Sequence, residues 1–507
     1  MKIKTTLLIL FGLEVFCLGL FPTLDPDLGI HLKTGELILK HGIPHADVFS
    51  FTALGAPWMV HEWLCDIFLR ILYNFFGFSG LMIVFAALAV LISALVYLTC
   101  AGQPILALPL TLLSFLSAKF VWGSRPQIFN LLMLAIYMAI LRGVRRRTLP
   151  WKWVYAFPFL AMLWVNMHSG HLIGLAVLTV VLVGDFIQNF LLHAPEPGIF
   201  EAREIKPFSI IVVLSAIAGL CNPEGYRIYL YPFKILGGAL YQTSIHEWIS
   251  HDFHNPLAWG FLTLMALGAV SFLGLSRRTH LSDLCLYVGT MVAGLMSRRH
   301  SPLFSIVAIP IISQVIWDSV TSAKWRDLLE CRTGLDRLRV MRFFINPLLI
   351  LFALTGTCTW TASRIRQNQA EMESFLPVGA VQFIKEHGLK AKRVFNLYDW
   401  GGYLVLNDIP VFIDGRAEVY GPRFLEDYFV VADLRKGVEG VQYAIDRWGI
   451  EYFLVPSGWV LASALRTNLR WKEVYRGGPA SIFLKKDIAG ISGSKANYFK
   501  IGLSGNP

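Results

Sequence analysis

The feature that most constrains this chain is a series of apolar runs along its first two-thirds, many of them about 18 residues or longer. With 55% hydrophobic and only 16% charged residues, the chain is too apolar for a soluble protein of 507 residues. We therefore predict an α-helical polytopic membrane domain over residues 1–363, with about eleven spans. The candidate spans are 5–22, 79–100, 104–118, 127–141, 153–167, 171–190, 208–221, 258–275, 283–297, 301–318 and 345–362. The weaker apolar stretch 64–78 carries charges and is predicted to be an interfacial helix.

From about Arg364 onward, charged residues, glycine and proline return at ordinary density. Residues 364–490 have the size of a single folded core, and residues 491–507 are predicted to be a flexible tail. Alternating strand and helix patterns predict a small α/β domain. The expected strands are 393–397, 411–413, 452–455 and 481–484, and the expected helices are 422–434, 438–448 and 460–469.

The distribution of Lys and Arg predicts the orientation in the membrane. If the N-terminus is cytoplasmic, the three most basic short loops, within residues 142–152, 277–278 and 324–342, are cytoplasmic as well, as the positive-inside bias requires. The net charge of +11 then reflects topology signals, and no nucleic-acid partner is expected. The last span leads outward, so the α/β domain is predicted to be extracytoplasmic.

Two acids lie where the first predicted span meets water, at the start of an outer loop over residues 22–63. A charged group at the centre of a bilayer costs about 2.5–3.5 kcal/mol on insertion scales and usually marks a functional site. Asp25 or Asp27 is therefore a candidate general base, or a candidate ligand for a hard divalent cation such as Mg²⁺ or Mn²⁺. The alternative is that Asp27 caps a helix that begins near Leu28.

The same predicted face of the membrane collects most of the other unusual polar residues. Glu62 is a candidate second acid, or else an interfacial residue beside an aromatic anchor. Arg298 and Arg299 lie in a short outer turn against the positive-inside bias and suit an anion such as a lipid phosphate. Arg125 is a further candidate for contact with a lipid phosphate. The alternative is that its side chain extends along the apolar surface to place its charge at the membrane–water interface. The remaining candidate substrate-binding residues are His31, His61, Asn166, His168 and His300.

In the α/β domain, aromatic side chains adjoin acids at residues 398–403 and 412–416. Such groups can stack on and hydrogen-bond a sugar or a peptide. The alternative is a strand, a glycine turn and a surface ion pair between Asp414 and Arg416. The chain contains no phosphate-binding or dinucleotide-binding glycine motif, no H-E-x-x-H and no G-x-S-x-G, so nothing indicates ATP, a dinucleotide or a serine nucleophile.

Several short motifs together resemble a known superfamily. They are Asp25-Pro26-Asp27-Leu28, the runs 31–36 and 47–52, His61-Glu62-Trp63-Leu64, Arg125-Pro126, the run 164–168, Asn222-Pro223 and Arg298-Arg299. The chain resembles bacterial members of the GT-C glycosyltransferase superfamily, which are polytopic enzymes that take a sugar from a polyprenyl-phosphate donor on the outer face. The resemblance implies a catalytic acid at Asp25 or Asp27. Oligosaccharyltransferase members of the superfamily carry the motif Trp-Trp-Asp-Tyr-Gly in their soluble domain. Residues 398–401 match this motif only in part, so the resemblance does not extend to recognition of a peptide acceptor.

The resemblance implies transfer of a hexosyl or pentosyl group to a lipid, glycan or protein acceptor at the bacterial cytoplasmic (inner) membrane. No cofactor is expected unless Asp25 and Asp27 act as ligands for a divalent cation instead of as a general base. The acids would activate the acceptor, and the arginines would stabilise the departing phosphate in a pocket shared with the acids at the non-cytoplasmic boundary. Two alternatives remain: a transporter or flippase for a lipid-linked glycan, and a non-catalytic scaffold for envelope assembly.

Overall fold

A computed structural model describes residues 2–194, 196–236, 248–275, 279–320, 323–330 and 340–486. The chain forms two compact units. The membrane unit comprises residues 1–23, 34–43 and 60–368, and the tail unit comprises 24–33, 44–59 and 369–507. The predicted flexible tail 491–507 and the basic pair 277–278 lie outside the described residues.

The described part of the membrane unit is helical. Its helices are α1 (Ile3–Leu18), α2 (Leu28–His41, whose first turns belong to the tail unit), α3 (Trp63–Thr99), α4 (Ala107–Ser117), α5 (Ile128–Arg145), α6 (Ala156–Met167), α7 (His171–Phe186), α8 (Ala202–Ala218), α9 (Arg227–Leu236), α10 (Trp259–Val270), α11 (Leu281–Met296), α12 (Ser301–Ser319), α13 (Ala323–Leu329) and α14 (Asn346–Phe375, which ends in the tail unit). Within the described ranges, six helical segments are long and apolar enough to cross a membrane, and α4 and α11 are shorter apolar helices. The count of about eleven spans stays a prediction.

One helix contains a break. The predicted interfacial helix 64–78 and the span after it form α3, which is interrupted at Gly77 with φ 62°. Glycine adopts this positive φ without the steric penalty that a Cβ would bring. The sequence boundary between the two predicted elements therefore corresponds to the break at Gly77 between two helical segments of α3.

Two arginines that were predicted to lie in a basic loop belong to α5. Arg142 and Arg145 are buried, and their guanidinium groups contact Asp283 of α11 at 3.4 and 3.1 Å. Arg145 also lies 3.4 Å from Asp185 of α7. The loop prediction is wrong for these two residues because acids on neighbouring helices neutralise them and let α5 continue to residue 145. Arg147 remains partly exposed, as predicted for a loop residue.

The tail unit contains a four-stranded sheet in the order β1-β2-β4-β3, formed by β1 (Val394–Asn396), β2 (Tyr452–Pro456), β3 (Trp471–Gly477) and β4 (Ala480–Lys485). The β1–β2 pair is parallel, and β4 is antiparallel to β2 and β3. Its helices are α15 (Val378–Glu386), α16 (Gly401–Leu406), α17 (Ala417–Tyr420), α18 (Pro422–Ala432), α19 (Gly437–Trp448) and α20 (Val460–Thr467). Three predicted strands and three predicted helices are confirmed.

The predicted strand at residues 411–413 is wrong. Val411 makes only an isolated bridge to Ser50, and the backbone beyond it is bonded by a side chain instead of a neighbouring strand. The amide of Asn396 donates to the Ile413 carbonyl at 2.8 Å and accepts from the Phe412 N–H at 2.9 Å. These two bonds satisfy the peptide groups that a ladder would otherwise pair.

The tail unit includes two pieces of the first outer loop. The N-terminal turn of α2 approaches α16 at glycines: a Cβ on Gly29 would lie 2.1 Å from the Gly402 carbonyl oxygen, and a Cβ on Gly402 would lie 2.1 Å from that of Pro26. Thr52 donates to the Phe412 carbonyl at 2.6 Å. The loop residues around the two predicted acids are thus built into the same folded unit as the C-terminal sheet.

Candidate functional site

The two acids of the first loop lie in the turn that begins α2. The Asp27 N–H donates to the Asp25 carboxylate at 2.9 Å, and the Leu28 N–H donates to the Asp25 carbonyl at 3.2 Å. This is the local turn that an aspartate forms with the backbone two residues ahead. His31 follows in the first turn of α2, where its N–H donates to the Asp27 carbonyl at 3.1 Å. Asp25, Asp27 and His31 are all half-buried.

Asp27 also lies against a glycine and a tyrosine of the tail unit. Its Oδ1 atom occupies the space that a Cβ at Gly415 would need, at only 1.6 Å from that position. Tyr398, from the predicted aromatic motif, donates its hydroxyl to the Gly415 carbonyl at 3.1 Å. Burial raises the pKa of Tyr398 well above its usual value, and the charge of Asp27 raises it further. The Tyr398 hydroxyl that donates to Gly415 therefore lies within electrostatic reach of the Asp27 carboxylate.

A buried ion network fixes the second piece of the loop, residues 44–59. Arg416 lies 2.6 Å from Asp47 and 2.6 Å from Asp414, and its guanidinium group is 4.4 Å from the ring centre of Trp58. The prediction of a surface ion pair is wrong: Asp414 is 0% and Arg416 6% exposed, because the loop covers them. Burial alone would lower the pKa of Arg416, but the charge of Asp414 and that of Asp47 outweigh it and raise the pKa.

In the membrane unit, the structure brings together several predicted site residues. Glu62 directly precedes α3, and His168 lies between α6 and α7. Their side chains meet, with Glu62 Oε1 3.0 Å from His168 Nε2 and 3.6 Å from His61 Nε2. The His61 ring packs 4.5 Å from that of Tyr231 in α9. An acid and two imidazoles therefore form one largely buried cluster.

Two further residues support this cluster and were not predicted as site residues. Asn130 Nδ2 lies 2.9 Å from His168 Nδ1, and Trp164 Nε1 donates to Asn130 Oδ1 at 2.7 Å. The signal for Asn130 in the sequence was a side-chain amide inside an apolar run, since polar groups in membrane segments usually face partners. Asn166, which was predicted, accepts from Trp63 Nε1 at 2.8 Å and so ties the start of α3 to the end of α6.

The predicted anion-binding residues Arg298, Arg299 and His300 form a short 3₁₀ turn between α11 and α12. The Arg298 N–H donates to the Ile249 carbonyl at 3.1 Å, and the Arg299 guanidinium group lies 5.2 Å from the ring centre of Trp248. The ring of His300 lies edge-on to Trp248 at 6.2 Å. The turn is thus held by the segment that precedes α10.

Arg125 lies in the turn that leads into α5, where its N–H donates to the Gly123 carbonyl at 2.9 Å. It stays a prediction that the arginines share a pocket with Asp25 and Asp27.

Within the described ranges, no group of three or more His, Cys, Asp or Glu side chains is arranged to hold a metal ion. The divalent cation at Asp25 and Asp27 also stays a prediction.

Several solved structures are similar to this chain along most of its length. ArnT from Cupriavidus metallidurans, in the apo state, matches with a TM-score of 0.54 and 12% identity over 97% of this chain and 99% of its own. The apo oligosaccharyltransferase of Archaeoglobus fulgidus matches with a TM-score of 0.54 and 12% identity over 89% of this chain and 69% of its own. This chain has the GT-C fold. No protein-family model and no curated protein sequence matches the chain.

Two of the GT-C structures similar to this chain contain lipid carriers. ArnT from C. metallidurans was also solved with undecaprenyl phosphate, and that structure matches with a TM-score of 0.54 and 11% identity. The archaeal oligosaccharyltransferase AglB from A. fulgidus was solved with an inhibitory peptide and a dolichol-phosphate, with a TM-score of 0.53 over 94% of this chain and 74% of its own. These matches confirm the GT-C fold that the motifs predicted. Within the described residues, the chain has apolar helices long enough to span a membrane and a small sheet near its C-terminal end.

Proposed function

We propose that this GT-C protein transfers a sugar from a polyprenyl-phosphate-linked donor to an acceptor on the outer face of the cytoplasmic membrane. One observation carries the proposal: the chain matches ArnT along nearly its whole length, and ArnT binds undecaprenyl phosphate in its solved structure. The dolichol-phosphate in the archaeal relative supports the same class of carrier. The acceptor is a lipid, a glycan or a protein, and the protein resides in a bacterial inner membrane with its tail unit extracytoplasmic.

The chemistry assigns a role to each predicted residue type. The attacking hydroxyl loses a proton, and Asp25, Asp27 or Glu62 is the carboxylate that accepts it. Asp25 and Asp27 also provide the oxygen ligands for a divalent cation, which would neutralise charge on the phosphate. The departing phosphate gains negative charge in the transition state, and Arg298 and Arg299 stabilise that charge. Arg125 makes a further phosphate contact, and the hydrogen-bonding residues for the sugar are His31, His61, Asn166, His168 and His300.

A deletion strain tests the proposal. We expect Asp25→Asn, Asp27→Asn or Glu62→Gln to lower glycan transfer by about 10²–10⁴-fold when the lost group is the general base. Arg299→Ala should lower it as well, through loss of a charge-assisted phosphate contact. The measurement is mass spectrometry of envelope glycans from complemented cells, with protein abundance checked by immunoblotting.

The matched control is Asp252→Asn. Asp252 also lies outside the helices, but it is exposed and its carboxylate bonds locally to His254 at 3.1 Å. This variant should restore wild-type glycans. Normal glycans from all four site variants at normal abundance would remove the catalytic assignment, and a glycan defect from Asp252→Asn would show that the assay reports general loss of fold.

A further inference from the structure

Two donors approach the Nδ1 atom of the His168 ring. The backbone N–H of Gly170 donates to Nδ1 at 2.9 Å, and the Asn130 amide nitrogen lies 2.9 Å from Nδ1 and 3.5 Å from Nε2. A backbone N–H can only donate, so Nδ1 must present a lone pair. The ring is then neutral, and its one proton is on Nε2, which faces Glu62 Oε1 at 3.0 Å.

The orientation of Asn130 is fixed by a second donor. The indole N–H of Trp164 can only donate, and it lies 2.7 Å from Asn130 Oδ1. The carbonyl end of the amide therefore faces Trp164, and the NH₂ end faces His168. Trp164 is 0% and Asn130 6% exposed, so the partners of this amide are set by the protein and not by bulk water. Each residue in this hydrogen-bonded series therefore donates to the next: Trp164 to Asn130, Asn130 to His168, and His168 to Glu62.

We propose that Trp164 and Asn130 are positioning residues that act with the backbone N–H of Gly170 to hold His168 as the Nε2–H tautomer, a hydrogen-bond donor to the Glu62 carboxylate. His168 then orients and stabilises the ionised form of Glu62, and it neither takes a proton at Nδ1 nor binds a metal there. A proton on Nδ1 would confront two donors and break both hydrogen bonds. The catalytic meaning of this arrangement rests on the proposed function, but the tautomer does not.

The titratable groups around this pair support the assignment of roles. Glu62, at the start of α3, is the acid that faces His168. His61 contacts the same Glu62 oxygen at 3.6 Å, and Tyr231 from α9 packs on His61. His168 donates through a shorter contact and is held on its other side by Gly170. Of the two histidines, His168 is therefore the one whose hydrogen-bond direction the structure fixes.

The direct test is ¹⁵N NMR of the full-length protein, labelled at histidine and purified in detergent. The His168 signals are identified by their loss in His168→Gln. At pH 7 we expect Nδ1 to resonate as an unprotonated nitrogen and Nε2 as a protonated one. A protonated Nδ1, alone or together with Nε2, would overturn the proposal, and this result needs no further variant to be informative.

Two substitutions at one position separate the hydrogen bond from general packing. Asn130→Asp can still accept from Trp164, but it places a carboxylate beside Nδ1 in competition with the Gly170 N–H, so rings protonated at both nitrogens should be detected at pH 7. Asn130→Leu removes the same bond without adding charge, and Gly170 should keep the Nε2–H tautomer. An unchanged ring in Asn130→Asp would show that Gly170 alone sets the tautomer and would overturn the positioning role of Asn130.

Activity is the second readout. Asn130→Asp should lower glycan transfer more than Asn130→Leu at equal protein abundance, because only the carboxylate converts His168 into a cation. If glycan transfer falls equally in the two variants, Asn130 contributes only packing, and its positioning role is overturned. If Glu62→Gln abolishes transfer but wild-type His168 has a protonated Nδ1, this inference fails and the proposed function stands. If no site variant changes the glycans but wild-type His168 is the Nε2–H tautomer, the proposed function fails and this inference stands.

Discussion

Arg416 is the residue whose removal should cost the tail unit most, because it contacts two buried carboxylates. Arg416→Met would leave Asp47 and Asp414 without their counter-ion, and breaking a buried pair in this way typically costs about 3–5 kcal/mol. We expect a matching loss in the free energy of unfolding of the tail unit. Hydrogen–deuterium exchange of tail-unit peptides in the full-length protein measures it.

The control for Arg416 is Arg435→Met. Arg435 pairs with Asp433 at 2.7 Å, but both side chains are about half exposed, and such surface pairs contribute about 0–1 kcal/mol. Its exchange rates should stay close to wild type. Equal protection in the two variants would mean that the buried network does not stabilise the loop.

Single residues show where sequence reasoning succeeds and where it fails. Glu62 and His168 were both predicted as site residues, because polar groups at a membrane boundary stand out against apolar surroundings. Their pairing could not be predicted, since more than a hundred residues separate them. Asp414 was interpreted as a surface residue because nothing in its own neighbourhood reveals that residues 44–59 cover it. Burial is a property of the tertiary fold, and the local sequence does not contain it.

At the scale of elements, the approach of α2 to α16 depends on glycine. A Cβ on Gly402 would lie 2.1 Å from the Pro26 carbonyl oxygen, so Gly402→Ala must push the turn that carries Asp25 and Asp27 away from α16. We expect a loss of about 1–3 kcal/mol from overpacking, with reduced glycan transfer. Thermal unfolding of the purified protein and glycan analysis of complemented cells check the two effects.

The matched substitution is Gly458→Ala, also in the tail unit. No atom lies within 4 Å of a Cβ at Gly458, so this variant should unfold and function as wild type does. A wild-type melting temperature and wild-type glycans from Gly402→Ala would show that the two helices separate without consequence for the site.

Elements with a strong hydrophobic period were the most predictable. The apolar runs became helices, and the buried strands β2 and β4 lie where the sequence placed them. The edge strand β3 was missed, because Trp471–Gly477 mixes charged and apolar residues as edge strands often do. Residues 411–413 have the composition of a strand, but the Asn396 side chain bonds their backbone, and a composition pattern cannot anticipate that competition.

At the scale of the whole molecule, the testable claim is the orientation in the membrane. Alkaline phosphatase fused after Pro507 should be active, because that enzyme requires the oxidising extracytoplasmic side, and the tail unit is predicted to lie there. A fusion in the basic loop near Arg147 should be inactive, since the positive-inside bias keeps it cytoplasmic. Fluorescent-protein fusions at the same two positions should give the opposite pattern.

The reverse result would contradict more than topology. A tail unit in the cytosol would place Asp25 and Asp27 on the wrong side for an outer-face donor. The fold itself was predictable because the first-loop acids, the many apolar runs, the trailing domain and short motifs along most of the chain together resemble GT-C proteins. The division of that loop between the two units was not predictable, since it depends on contacts with residues from the other end of the chain.

That division has a consequence for biosynthesis. The surroundings of Asp27 include Tyr398 and Gly415, and residues 44–59 are fastened by Arg416. A ribosome must therefore translate residues 398–416 before the surroundings of the first-loop acids can form. Nascent chains that already contain the helices of the membrane unit would still lack the folded surroundings of Asp25 and Asp27.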